Sequence, residues 1–409
     1  MAVHTMQELK QLQALPLKIK IMLTKTRIRE WINEFGEDGV YISFSGGKDS
    51  TVLLDLVRED YPNVVAVFVD TGLEYPEIRD FIRTVNGVTW IKPKYTFKQV
   101  IEKYGYPMIS KEVSNCVQGA RKYLRELKRR DTMLDRQTDR QTDRQTDRQT
   151  DRQTDRQTDI IPNYWAIMDL LGIERRKKKS YLYEKIKRGA IPSVRLLRIK
   201  GELKNKEGEP SRFNAEKYRF FLEAPFEISD FCCKAIKKAP AHDYFKNTGK
   251  VPFIATTCEE SFLRVQKWLA QGCNAFEANY PSSKPLSFWT EQDILRYIKM
   301  KDLPIASIYG EVVVDYEKEG SCTGQISFSD LGLIEDNRPL KTTGVSRTGC
   351  MFCGFGCHLE KAGEGRFERM KITHPKQYDY IMRPKEKGGL DYRNVINWIN
   401  ENGNLHIRY

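Results

Sequence analysis

The chain has 409 residues, with 68 Lys and Arg against 55 Asp and Glu, a net charge of +13 and nine cysteines. It has no run of eighteen apolar residues and no basic segment leading into an apolar one near Met1, so a membrane-spanning or secreted protein is excluded as a reading and a cytoplasmic one is expected. An odd cysteine count suits metal ligands or reactive thiols better than a disulfide frame, and the positive charge favours anionic partners.

Residues 1–35 read as two helices separated by Pro16, with Leu9, Leu12 and Leu15 before the break. After it, Ile19, Met22, Leu23 and Ile28 are expected on or near one face. Val40, Ile42 and Phe44 then alternate with smaller or more polar residues, which predicts a strand running into Ser45-Gly-Gly-Lys-Asp-Ser50. Val52, Leu53, Leu56 and Val57 follow at helical spacing, with Asp49 and Ser50 as start signals. A strand, a glycine turn and a helix aim backbone N–H groups and the positive end of the helix at one spot, which suits phosphate. Gly46 and Gly47 admit a close ligand, Lys48 adds charge, and the hydroxyls of Ser45 and Ser50 can donate.

Asn63–Gly72, N-V-V-A-V-F-V-D-T-G, is too continuously apolar for a half-exposed strand and predicts a parallel strand covered on both faces. A helix from about Pro76 to Val85, a strand Val88–Ile91 and a helix from Phe97 complete an alternation that predicts an α/β fold, a doubly wound, mainly parallel sheet with its ligand at the carboxyl ends of the strands.

S-G-G-K-D-S lacks the spacing of a Walker A loop. It resembles the PP-loop of ATP pyrophosphatases and sulfonucleotide reductases, the adenine nucleotide alpha-hydrolase-like superfamily. Asp70–Glu77, D-T-G-L-E-Y-P-E, resembles the matching segment of the phosphoadenosine phosphosulfate (PAPS) reductase family. The resemblance implies that Ser43, Ser45, Gly46, Gly47, Lys48, Asp49 and Ser50, with Asp70, Thr71 and Gly72, bind ATP or a sulfonucleotide, with Mg2+ near Asp49 and Asp70. Thr256–Leu269 resembles the family's E-S-x-x-R segment, with Glu260, Ser261 and Arg264 matching; Thr256 and Thr257 stand where arginines often precede it. Lys48, Asp49, Asp70 and Arg264 are the implied catalytic residues. Thr290 is expected to cap the helix that follows, with Asp293 in its first turns.

Cys350 and Cys353 have the C-x-x-C spacing that lets two thiolates reach one metal centre, Cys357 lies just beyond, and Cys232 and Cys233 are adjacent. Cys232, Cys233, Cys350 and Cys353 are similar to the four-cysteine set that holds a 4Fe-4S cluster in sulfonucleotide reductases, with Lys234, Lys237 and Lys238 offsetting its charge. A zinc site and buried structural thiols are the alternatives, and Cys116, Cys258, Cys273 and Cys322 read as core.

Six tandem copies of R-Q-T-D occupy Arg136–Asp159; without an apolar residue they read as an exposed insertion. Glu174–Lys206 holds thirteen Lys and Arg against three Glu, and Tyr164, Trp165, Tyr181 and Tyr183 lie in or near it. That mix suits single-stranded nucleic acid or a solvated helix face. The expected organisation is N-terminal helices over 1–38, the first part of the core over 39–134, the repeat over 135–159, a basic insertion over 160–219, the second part of the core over 220–309 and a cysteine-rich C-terminal lobe over 310–409.

Reductases of this kind attack sulfur with a further cysteine near the C-terminus, and this sequence has none after Cys357, so either Cys357 or another internal cysteine takes that role or the protein is not a reductase. The expected chemistry is therefore ATP-dependent adenylylation, with sulfur from a donor protein passed to a tRNA or DNA acceptor. A sulfonucleotide reductase releasing sulfite and a regulator that binds nucleotide without turnover are the alternatives.

Overall fold

The structure is a computed structural model that describes residues 3–142, 193–319 and 338–409. These form two compact units, Met1–Phe97 with Cys233–Met351, and Lys98–Cys232 with Phe352–Tyr409.

The first unit is built on a six-stranded sheet. β1 (Val40–Ser43), β2 (Ala66–Val69) and β3 (Val88–Ile91) belong to the first stretch of chain; β5 (Val251–Ile254), β6 (Asn274–Ala275) and β7 (Ser282–Ser283) belong to the second. The order is β3-β2-β1-β5-β7-β6, parallel throughout except for β6 against β7. Ile42 lies opposite Ala66 on one side and Phe253 on the other, so β1 is central. The chain builds outward from β1 to β3 and then returns to place β5 on the opposite side of β1. The sheet order therefore reverses beside β1, and the crevice at its carboxyl end is where such sheets bind ligands.

Alternation along β1 divides its side chains between two covered faces. Val40, Ile42 and Phe44 join one core with Val52, Leu53 and Leu56 of α3 (Lys48–Arg58) and Ile78 and Ile82 of α4 (Pro76–Thr84). Tyr41 points the other way, edge-on to Tyr244 of the helix Ala239–Thr248, with ring centres 5.0 Å apart. Helices on both faces make the sheet doubly wound, as expected.

α1 (Met6–Ala14) and α2 (Leu17–Phe35) flank Pro16. The buried stripe of α2 is not the expected one: Met22 is 64% exposed and Ile19 also faces outward. The inward positions are Lys20, Thr24, Ile28, Trp31 and Ile32. Two polar residues hold that stripe because each has a partner inside. Lys20 Nζ bonds Asp293 Oδ2 at 2.6 Å and the Gln13 carbonyl at 2.7 Å, while Thr24 Oγ1 accepts from Trp289 Nε1 at 2.8 Å. A count of apolar residues alone cannot find a stripe of this kind.

α5 (Phe97–Tyr104), in the second unit from Lys98 on, leads to β4 (Met108–Ile109), which pairs in parallel with the strand Gly354–Phe355. α6 (Lys111–Thr142) packs through Ala120 and Tyr123 against Leu196 of the helix Val194–Lys200. Tyr106 donates to the Leu390 carbonyl at 2.9 Å and Tyr392 to the Phe352 carbonyl at 2.6 Å. The repeat enters the described residues only as Arg136–Thr142, at the end of α6. The rest of the repeat, the basic stretch up to residue 192 with its aromatic residues, and Cys322 lie outside the described residues. Among the described residues no helix is long and apolar enough to cross a membrane.

Candidate functional site

β1 ends at Ser43 and α3 begins at Lys48, so Phe44–Gly47 make the whole turn. Gly46 has φ +70°, and a Cβ there would stand 2.8 Å from side-chain atoms of Ile78 and Ile82. Only glycine meets both conditions without strain. Ser50 ties the turn closed: its Oγ donates to the Gly47 carbonyl at 2.8 Å, accepts from the Ser45 N–H at 3.3 Å and lies 3.1 Å from Ser45 Oγ. Thr51 Oγ1 donates to the same Gly47 carbonyl at 3.1 Å.

Lys48 is 4% exposed and its ammonium has oxygen partners close by. Nζ donates to the Ser346 carbonyl at 3.0 Å and pairs with Glu291 Oε1 at 3.2 Å and Asp49 Oδ1 at 3.5 Å. Its backbone N–H donates to Tyr309 Oη at 3.2 Å, and Tyr309 Oη lies 2.6 Å from Thr348 Oγ1. Glu291, Tyr309, Ser346 and Thr348 are thus parts of the loop's surroundings that motif reading missed. They come from segments about 240 to 300 residues away and match no pattern around the loop.

The D-T-G segment forms a tight turn. Thr71 Oγ1 donates to Glu74 Oε1 at 2.6 Å, and the Leu73 N–H donates to Thr71 Oγ1 at 3.2 Å. Asp70 pairs with Arg79 at 2.9 Å and accepts from the Gly72 N–H at 3.4 Å. Asp49 and Asp70, the carboxylates expected near magnesium, therefore each have a cationic neighbour already.

Glu260 pairs with Arg264 and has Arg347 at 3.9 Å. Burial first, and then Arg347, holds the Arg264 guanidinium below its usual range, while Asp49 acts in the opposite direction. Arg347 supplies a second guanidinium beside the E-S-x-x-R segment, although Thr256 and Thr257 stand where the expected arginines would be. Ser261 caps the helix Phe262–Gln271 by position, in extended conformation.

A cavity of 210 Å³ opens at the carboxyl ends of β1 and β2. Ser43, Ser45, Thr71, Glu74, Lys237 and Thr348 are among its lining residues. Burial works against the charge on Lys237, but Cys350, Glu74 and Cys233 outweigh it and raise the ammonium above its ordinary value. A larger cavity of 610 Å³, over the Lys20–Asp293 pair, contains none of the predicted site residues.

The other two predicted thiol ligands belong to the second unit. Cys232 and Cys353, together with Cys357, bear on the buried Tyr392 phenol, which burial chiefly holds far above its ordinary range. Cys357 donates to the Gly354 carbonyl at 2.8 Å, and burial pushes its thiol up to about 12. A thiol held protonated in that way is a poor nucleophile near neutral pH. Cys116, Cys258 and Cys273 are buried, as expected. Among the described residues no group of three or more His, Cys, Asp or Glu side chains is arranged to hold a metal ion.

Residues 39–164 match the model of the phosphoadenosine phosphosulfate reductase domain, which takes in the loop, the D-T-G turn and the strands that present them. This stretch of the chain is similar to that domain. Adenosine 5'-phosphosulfate reductases of Staphylococcus epidermidis and Geobacillus kaustophilus are each 29% identical, over 107 and 91 residues respectively. These stretches are 25% and 21% of this chain and 42% and 38% of those enzymes, so the similarity spans less than half of the curated relatives. A crystal structure of a PAPS reductase from Candida auris, a phosphate complex, overlaps with a TM-score of 0.32 at 12% identity, covering 74% of this chain and 90% of that one.

Proposed function

We propose that this PAPS reductase-family chain is an enzyme that binds an adenine nucleotide, with the anionic end at Ser45–Ser50 and the remainder toward the cavity lined by Thr71, Glu74 and Lys237. The observation that carries the reading is the closed loop with Lys48 at the carboxyl end of the central parallel strand. Backbone N–H groups at the start of α3, and the Lys48, Arg264 and Arg347 cations, suit a polyphosphate.

The reaction we favour is adenylylation of an acceptor by ATP. The acceptor oxygen bonds the α-phosphorus, the bond to the bridging oxygen breaks, and pyrophosphate leaves with the negative charge. Lys48 and the loop amides would stabilise that charge as it develops. The state of Cys357 supports this over direct attack on sulfur, since the thiol there is buried and hydrogen-bonded. The names of the curated relatives favour a second reading, reduction of a sulfonucleotide with release of sulfite.

Cys232, Cys233, Cys350 and Cys353 remain our proposed ligands for a 4Fe-4S cluster, with zinc as the alternative; thiols are the right donors and Lys237 would offset their charge. Such a cluster would supply electrons or a binding position for sulfur. The lysine and arginine excess of Glu174–Lys206 makes a tRNA or DNA acceptor part of the same proposal.

The deciding experiment is an anaerobic preparation assayed with ATP and with each sulfonucleotide, recording pyrophosphate and sulfite. Pyrophosphate release that depends on an added acceptor supports adenylylation. Sulfite release that needs no ATP establishes the reductase, and neither product with any nucleotide defeats the enzymatic reading.

A further inference from the structure

We infer that Glu291 occupies the anion subsite of the loop as an internal competitor that every incoming anion must displace. The proposal rests on the nucleotide reading and deepens it. The Lys48 ammonium donates to the Ser346 carbonyl at 3.0 Å and is paired in charge with Glu291 at 3.2 Å and Asp49 at 3.5 Å. With Lys48 4% exposed, a ligand oxygen reaches Nζ only by replacing one of these partners.

The three partners differ in what can move. The Ser346 oxygen belongs to the main chain, and Asp49 stands on the first turn of α3 next to Lys48 itself. Glu291 has a long side chain that is 35% exposed, on the first residue of the helix Glu291–Lys301. Its backbone is fixed: Thr290 and Asp293 close a capping box around it, and its N–H donates to Glu259 Oε2 at 2.6 Å. The Glu291 carboxylate can therefore swing into solvent while the frame stays in place.

An incoming anion must then outcompete a carboxylate already paired with Lys48. That displacement costs every anion the same contact, so Glu291 lowers the affinity of the loop for phosphate and sulfate ends alike, and it does so without taking part in bond making.

The test is titration calorimetry of the full chain with inorganic pyrophosphate and with sulfate, with and without magnesium. The proteins are the parent, Glu291→Gln, Lys48→Met and the double variant, each checked by circular dichroism. Glu291→Gln should bind pyrophosphate and sulfate each several-fold tighter, up to about tenfold. Both gains should vanish in the Lys48→Met background. If the parent binds pyrophosphate and Glu291→Gln binds no tighter, this inference fails while the nucleotide reading stands. Weaker binding by Glu291→Gln only when magnesium is present overturns it in favour of a carboxylate that holds a cation. If no variant binds pyrophosphate, both this inference and the nucleotide reading fall.

Discussion

A buried ammonium such as that of Lys48 persists only with partners, and the same group is the strongest donor the loop can offer a phosphate. Lys48→Ala should therefore weaken ATP binding roughly tenfold or more, from the loss of a charge-assisted bond worth about 1.5–3 kcal/mol. Unchanged ATP and sulfonucleotide affinity in calorimetry would remove the loop from the site. At Gly46, alanine would force a positive φ on a residue with a Cβ and press that Cβ into Ile78 and Ile82. The left-handed penalty and the overpacking together come to about 2–4 kcal/mol, to be read as a lower urea midpoint. Cys357 gives a pH signature. Its thiol titrates from an ordinary 9.0 up to about 12 in the fold, so over that interval the unfolded chain binds fewer protons than the folded one. Its contribution to stability is complete below pH 9 and declines as pH rises toward 12. Urea midpoints measured from pH 8 to pH 10.5 should fall, and Cys357→Ala should make that fall shallower. An identical slope in the variant would show that the thiol titrates normally.

At the scale of elements, β1 and α3 were readable because their pattern is local: alternation, two glycines and a helical run within eighteen residues, Val40–Val57. The Thr290–Asp293 capping box was readable for the same reason. The inward stripe of α2 was not, since Lys20 is buried only because Asp293, 273 positions away, meets it at 2.6 Å. Removing one member of such a pair leaves an uncompensated charge. Lys20→Met should cost about 3–5 kcal/mol in chemical denaturation, and adding Asp293→Asn should recover part of that loss. A loss below about 1 kcal/mol for Lys20→Met would mean that water reaches Asp293 and the pair behaves as a surface one.

At the scale of the whole molecule, the unit boundaries fall between Cys232 and Cys233 and, inside the C-x-x-C, between Met351 and Phe352. The cluster proposal concerns Cys232, Cys233, Cys350 and Cys353. If they bind one 4Fe-4S cluster, anaerobically purified protein should be brown with about four irons per chain by elemental analysis. Cys350→Ser should abolish the colour, while Cys116→Ser, whose thiol donates to the Arg195 carbonyl at 3.3 Å, should keep it. Stoichiometric zinc in a colourless, active preparation would select the alternative. The sequence by itself determined the parallel α/β core, the glycine turn at the end of β1 and the D-T-G turn. Each of these is encoded by neighbours along the chain, where backbone geometry and hydrophobic period act directly. Only the tertiary structure decided that Glu291 and Ser346 hold Lys48, that Tyr309 and Thr348 back the loop, and that Arg347 joins Glu260 and Arg264. Those partners are brought together by strand order and helix docking, and the energy that selects them, the need to pair charge removed from water, exists only once the chain has closed around it.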